Sequence, residues 1–342
     1  MHTYKSAVLF NQNQDSELRL CEILDRKPLQ DEVKVKMVTT GLCGKQVNEI
    51  TGKLGEDKYL PHFIGHEGFG QVIATGSGVQ KFQLGDYVIL HWRPAIGTTI
   101  EGMKCKSIDG IEIGGGPVTT FSEITFVAEN RCTKITPEPR LFNIYPLLGC
   151  ALPTAYGAII KEVSVNKGDN VLIIGAGGLG MALLFWCNVL RIDSVCVADI
   201  HQGKKVQVEA LGGKFLHVDE LNKLDKKFSV IFETSGVTQN VVNAFELADK
   251  GARLSLIGQT RKGESVTFEN FLKFYDDMSI ISSQGGLFEP TEDMQALCDY
   301  LSENQSLASK LVSKIIPLSR INEGFQLMKD PTARRIIIDF RM

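Results

Sequence analysis

The strand-like run Val171-Leu172-Ile173-Ile174 leads directly into Gly175-Ala176-Gly177-Gly178-Leu179-Gly180, and an apolar helical stretch from Met181 to Leu190 follows. This strand–turn–helix pattern limits the fold more tightly than anything else in the chain. A continuous apolar run predicts a strand covered on both faces. Gly175 permits a tight turn, Gly177 lets a pyrophosphate approach the backbone, and Gly180 lets helix and strand pack closely. With Gly178 and Leu179 these residues form a phosphate-binding turn, because a helix start offers free N–H groups and a partial positive charge. The next strand-like run, Ser194 to Ala198, ends at Asp199, 19 residues after Gly180. A carboxylate there accepts hydrogen bonds from ribose hydroxyls and repels a 2′-phosphate, so NAD is expected over NADP. Lys204 joins these residues as a cofactor contact, and with Lys205 it softens that preference.

Further strand-like runs recur at Ser229 to Phe232, Arg253 to Ile257 and Ser279 to Ser282, and a polar helix is expected near Lys204 to Leu211. Such alternation builds an α/β domain with a doubly wound parallel sheet, placed at 152–288. The region before it reads differently. Short alternating runs broken by glycine, such as Val33 to Met37, Gly70 to Ala74, Asp86 to Leu90 and Ser122 to Val127, predict half-buried strands of a barrel-like domain. The tail carries helical stretches near Glu292 to Asn304 and Ser319 to Lys329 and a strand from Arg335 to Phe340. It is too short to fold alone and is expected to pack on the first domain, giving a discontinuous unit of 1–151 and 289–342.

Three residues of the first domain offer metal chemistry. Cys43 precedes Gly65-His66-Glu67-Gly68, and Gly149-Cys150 lies 25 residues before Gly175. Two thiolates and an imidazole are the ligand set of a catalytic zinc with one position open. Such a metal can bring the pKa of bound water from ~15.7 to about 7, and it eases loss of the proton from an alcohol in the same way. Glu67 beside His66 is a candidate to swing toward the metal or support its ligand.

The net charge of −3 and the lack of a long basic stretch argue against nucleic acid as a partner. The longest apolar run, Met181 to Leu190, is half what a bilayer requires, and no apolar signal core precedes the first strand, so a cytoplasmic protein with no membrane partner is expected. The eight cysteines include no Cys-x-x-Cys pair. Disulfides are a poor default in that compartment, and most of these thiols should be small buried residues.

The motifs Gly41-Leu42-Cys43-Gly44, Gly65-His66-Glu67-Gly68-x-Gly70 and Gly149-Cys150-Ala151-Leu152-Pro153-Thr154-Ala155-Tyr156-Gly157 resemble those of the zinc-containing alcohol dehydrogenases of the medium-chain dehydrogenase/reductase family. The resemblance covers nearly the whole chain. It implies a GroES-like β-barrel catalytic domain plus a Rossmann domain, with hydride transfer between NAD and a hydroxyl or carbonyl of a small molecule. It further implies that Thr154 touches the nicotinamide, that Arg335 reaches the pyrophosphate, and that Trp92 lines the substrate pocket. Homodimers or homotetramers pairing through the edge strand near Ser279 to Ser282 are expected on the same ground.

The chain departs from the family pattern in three places. Residues 93–120 carry only Cys105 where the family usually places four cysteines around a structural zinc, so a single zinc is expected. Lys45 replaces the hydroxyl residue that usually passes the substrate proton outward. Beside a dication in a partly desolvated site it should release its proton more easily and could transfer protons itself. Alternatively it stays charged and binds an anionic substrate with Arg93 or His91, or it turns to solvent. Gln46 replaces the acidic residue that supports the zinc-bound imidazole, which removes a charge and leaves the metal more electrophilic. Asn48, at another common relay position, cannot titrate. A sugar, polyol or phosphorylated alcohol is favoured as substrate. Oxidation of a thiol adduct, as in glutathione-dependent formaldehyde dehydrogenase, a zinc-free reductase or lyase, and a non-catalytic nucleotide-binding relative are the competing possibilities.

Overall fold

The computed structural model describes residues 2–53, 55–261 and 263–342. The chain divides into two units, Met1–Cys150 with Glu289–Gln305 and Val312–Met342, and Ala151–Phe288 with Ser306–Leu311. The first stretch carries strands β1 (Thr3–Leu9), β2 (Arg19–Leu24), β3 (Glu32–Leu42), β4 (His62–Phe63), β5 (Glu67–Thr75), β6 (Tyr87–His91), β7 (Cys105–Lys106), β8 (Glu112–Gly115), β9 (Ile124–Ala128) and β10 (Cys132–Ile135), with helix α1 (Gly44–Ile50) after β3. The second unit runs through α2 (Ala151–Gly157), β11 (Asn170–Ile174), α3 (Gly178–Val189), β12 (Ser194–Asp199), α4 (Lys205–Ala210), β13 (Lys214–His217), β14 (Phe228–Glu233), α5 (Thr238–Leu247), β15 (Ala248–Leu256) and β16 (Ser279–Ser282). The tail adds α6 (Pro290–Glu303), α7 (Gln305–Ser309), β17 (Val312–Ile316), α8 (Ile321–Leu327) and β18 (Arg335–Asp339).

In the first unit β2-β1-β4-β8-β7 form one sheet and β10-β6-β5-β3-β18-β17 another, with β9 also on β3. The tail is part of this architecture. All five residues of β18 are buried, and it pairs antiparallel with β3 from Ile336 opposite Leu42 to Asp339 opposite Thr39. Ile336 and Ile338 share a core with Leu9, Leu42, Ile64 and Phe121. The lobe without the four cysteines folds as the β7–β8 hairpin. Cys105 is buried there and accepts a hydrogen bond from Tyr4 Oη at 3.5 Å.

The second unit is one parallel sheet in the order β13-β12-β11-β14-β15-β16. Its order reverses between β11 and β14, the switch point where doubly wound sheets bind ligands at the carboxyl ends of their strands. Leu172, Ile174, Phe228, Ile231 and Leu254 lie in its core with Phe245 of α5. This is the α/β architecture expected, a GroES-like domain with a Rossmann sheet. Among the described residues no helix is long and apolar enough to cross a membrane.

Candidate metal centre and cofactor turn

Strand register brings the metal ligands together. β3 and β5 pair antiparallel with Thr40 opposite Gly68, and β5 pairs with β6 with Glu67 opposite His91. Cys43 stands just past the end of β3, and His66 just before β5. Trp92, just past β6, donates its N–H to Gly149 O at 3.2 Å and so clips the loop that carries Cys150 to the same place. The ligand atoms of Cys43, His66 and Cys150 all lie within 4.8 Å of one another, the one such grouping found among the described residues.

Their chemistry fits a soft dication. His66 Nε2 is buried and has no hydrogen-bond partner. The Cys150 thiol, hydrogen-bonded to it, pulls the Cys43 thiol well below its usual range; burial opposes this, and His66 and Arg335 assist. Cys150 is held well above its usual range by the same hydrogen bond and by burial. Two sulfurs competing for one proton favour a cation that lets both ionise.

Around the ligands, Thr40 Oγ1 donates to Glu67 O at 2.7 Å. The Glu67 side chain is fully buried and forms an ion pair with Arg335, itself buried. A Cβ on Gly41 would collide with Glu67 Oε1, so glycine is required there for the carboxylate to fit. The structure thus brings Arg335 to Glu67, and the pyrophosphate contact expected of Arg335 rests on the resemblance alone. Gln46 is fully buried; its Oε1 accepts from Cys43 N at 2.8 Å and its Nε2 lies 2.5 Å from His66 Nδ1. Lys45, in the first turn of α1, is exposed, so the partly desolvated setting expected for it is absent. Trp92 and Arg93 are half-buried.

His91 corrects an expectation. Its Nδ1 donates to Arg93 O at 2.6 Å, its Nε2 lies 3.0 Å from Thr133 Oγ1, and burial pushes it down to about 4. It is neutral near pH 7 and cannot help hold an anion. Arg131 was not foreseen. Buried beside it, Arg131 donates through Nη1 to Trp92 O and fixes the loop that clips Gly149. Nothing in its local sequence marks that role, since the contact spans 39 positions.

In the second unit, α3 starts at Gly178 with Gly177 as its cap, no side chain capping it and no acid in its first turn. A Cβ on Gly180 would collide with Gly175 O, whereas one on Gly177 would meet no atom within 4 Å. Glycine at 180 serves the protein's own packing, whereas the space beside Gly177 is open and the residue is exposed. Leu179 is half-buried at this turn. Asp199 ends β12 and accepts from Ala176 N at 2.7 Å and His201 N at 2.9 Å, so it both braces the turn and carries a charge beside it. Thr154, on α2, and Lys204, just before α4, are buried.

Residues 29–137 match the family model described as the alcohol dehydrogenase GroES-like domain. The alcohol dehydrogenase class-3 of Drosophila melanogaster is 27% identical over 356 residues, covering 92% of each chain. The chain thus carries an alcohol dehydrogenase GroES-like domain and is similar along nearly its whole length to alcohol dehydrogenases. The fold of this chain is similar to that of an alcohol dehydrogenase zinc-binding domain protein from Burkholderia ambifaria, with a TM-score of 0.90, 19% identity and 99% of both chains covered. It is also similar to benzyl alcohol dehydrogenase from Acinetobacter calcoaceticus, with a TM-score of 0.86, 20% identity and the same coverage. These likenesses support an oxidoreductase of the alcohol dehydrogenase type.

Proposed function

We propose that this chain is a dehydrogenase that uses one zinc ion and NAD to interconvert a hydroxyl and a carbonyl on a polar or anionic small molecule such as a sugar, polyol or phosphorylated alcohol. The convergence of Cys43, His66 and Cys150, with His66 Nε2 left without a partner, carries this reading. Zinc on these ligands supplies a Lewis acid for the substrate oxygen, and NAD supplies the hydride acceptor or donor. The chain's residues do the rest. Gln46 orients His66, and Glu67 with Arg335 sets a paired charge beside the ligands. Lys45 is the nearest exposed cation to Cys43 in sequence, placed to hold an anionic group of the substrate or to exchange its proton with water. Trp92 offers an apolar wall.

Gly175, Gly177, Gly178, Leu179 and Gly180 are assigned to the cofactor pyrophosphate, Asp199 and Lys204 to the adenosine ribose, and Thr154 to the nicotinamide. The Asp199 charge favours NAD over NADP. We also infer pairing of identical chains along the exposed edge of β16, beside the exposed Phe271, Leu272 and Tyr275. Eight free thiols support a reducing, cytoplasmic setting.

The test is metal analysis together with hydride transfer on neutral and anionic alcohols. One zinc per chain is expected, lost in Cys43→Ala along with turnover. Lys45→Met should raise KM for anionic substrates selectively. One zinc with no turnover on any alcohol, and no effect of Cys43→Ala on the chain's cellular function, would instead identify a non-catalytic nucleotide-binding relative.

A further inference from the structure

Gln46 faces two partners with incompatible demands. Its amide has an acceptor end and a donor end. One end meets the backbone N–H of Cys43, which can only donate. That end is therefore Oε1, at 2.8 Å. The other end, Nε2, is then a donor, and it lies 2.5 Å from His66 Nδ1. A donor at Nδ1 makes Nδ1 the acceptor and leaves the ring proton on Nε2. Yet Nε2 is the buried nitrogen without a hydrogen-bond partner, and a protonated nitrogen cannot ligate a metal.

A carboxylate at position 46 would have no such conflict, because it accepts at both ends. An amide of the same length cannot. Gln46 is fully buried, so water is not at hand to relieve either end.

Resting on the proposal that Cys43, His66 and Cys150 take a metal, we propose that Gln46 is a two-position amide that couples metal loading to the tautomer of His66. In the metal-free chain the amide bonds to Cys43 N–H and donates to Nδ1. When the site fills, the amide turns over. Oε1 then accepts from Nδ1–H, Nε2 of His66 is free to ligate, and Cys43 N–H loses its acceptor. The ring stays neutral throughout: one proton leaves Nε2 for water and one is taken up at Nδ1. Gln46 is thus a positioning residue, and holding metal costs this chain a buried hydrogen bond that a carboxylate would keep.

The full chain, with nitrogen-15 in its histidine rings and backbone, gives the test by NMR. Metal-free protein should show His66 as the Nε2–H tautomer. The Gln46→Glu variant should show Nδ1–H. On addition of zinc, the Cys43 amide proton should exchange faster in the natural chain and stay protected in Gln46→Glu. Chelator competition should show zinc held more tightly by the variant, about 10–100-fold, the usual range for groups that support a ligand. A metal-free chain already in the Nδ1–H tautomer would overturn the proposal, as would a Cys43 amide equally protected before and after zinc. If zinc fails to bind at all, the zinc function proposed above falls, while the metal-free tautomer still decides the amide's orientation.

Discussion

Burial fixes the charge of His91. The ring is 1% exposed, both nitrogens have partners, and it is held down to about 4. Unfolding returns it to the usual value near 6.5. Between those values the unfolded chain binds the proton that the folded chain refuses, so stability falls as pH drops from about 6.5 toward 4. The stabilisation is complete above that window, and its loss reaches about 3 kcal/mol at the lower end. Urea unfolding at pH 7 and pH 4.5 should show this decline, and His91→Asn, which can still donate and accept, should flatten it. An unchanged slope in that variant would show that His91 is not the group responsible. Sequence could name His91 but not its neutrality, because its partners depend on how β6 meets β10. The same limit applies to Gln46. Its identity was plain beside Cys43, but its 2.5 Å approach to His66 arises from a contact across 20 positions.

Strands and turns were legible wherever the local pattern was strong. Val171 to Ile174 announced β11 through continuous apolarity, and β3, β5, β6 and β9 showed their alternation. Less was visible in β13, only four residues long, or in β17, whose exposed Ser313 and Lys314 hide an edge strand. Helix α5 escaped notice because Asn240 and Asn243 lie on its buried side. The Cys150 loop shows an element-level demand of another kind. A Cβ on Gly149 would lie 2.6 Å from Glu67 Cα and would also collide with Leu90 O. Both neighbours are backbone in paired strands and cannot yield. Gly149→Ala should therefore cost about 1–3 kcal/mol and push Cys150 away from the other ligands. Zinc per chain after dialysis should fall well below one, with dinucleotide binding unchanged. Full retention of zinc would mean the loop can move without disturbing the site.

At the level of the whole chain, the first unit is discontinuous. It is left after Cys150 and completed only when the tail returns at Glu289. β18 is no appendage: it lies between β3 and β17, and Ile336, Ile337 and Ile338 are at most 1% exposed. Burying each isoleucine contributes roughly 1.5–3 kcal/mol, against a total of about 5–15 kcal/mol for a typical domain. The same strand carries Arg335, the buried partner of Glu67. The second unit takes only Ser306–Leu311 from the tail, and its core from Leu172 to Leu254 lies in one continuous stretch. Ending the chain after Phe288 should therefore affect the units unequally. Fluorescence titration with NADH should still detect dinucleotide binding, because the Gly175–Gly180 turn and Asp199 remain on an intact sheet. Zinc should be absent and the β3 region open to proteolysis, because the strand beside Cys43 has lost its neighbour. A truncated chain that kept one zinc, or that lost dinucleotide binding first, would show that the tail supports the second unit rather than completing the first.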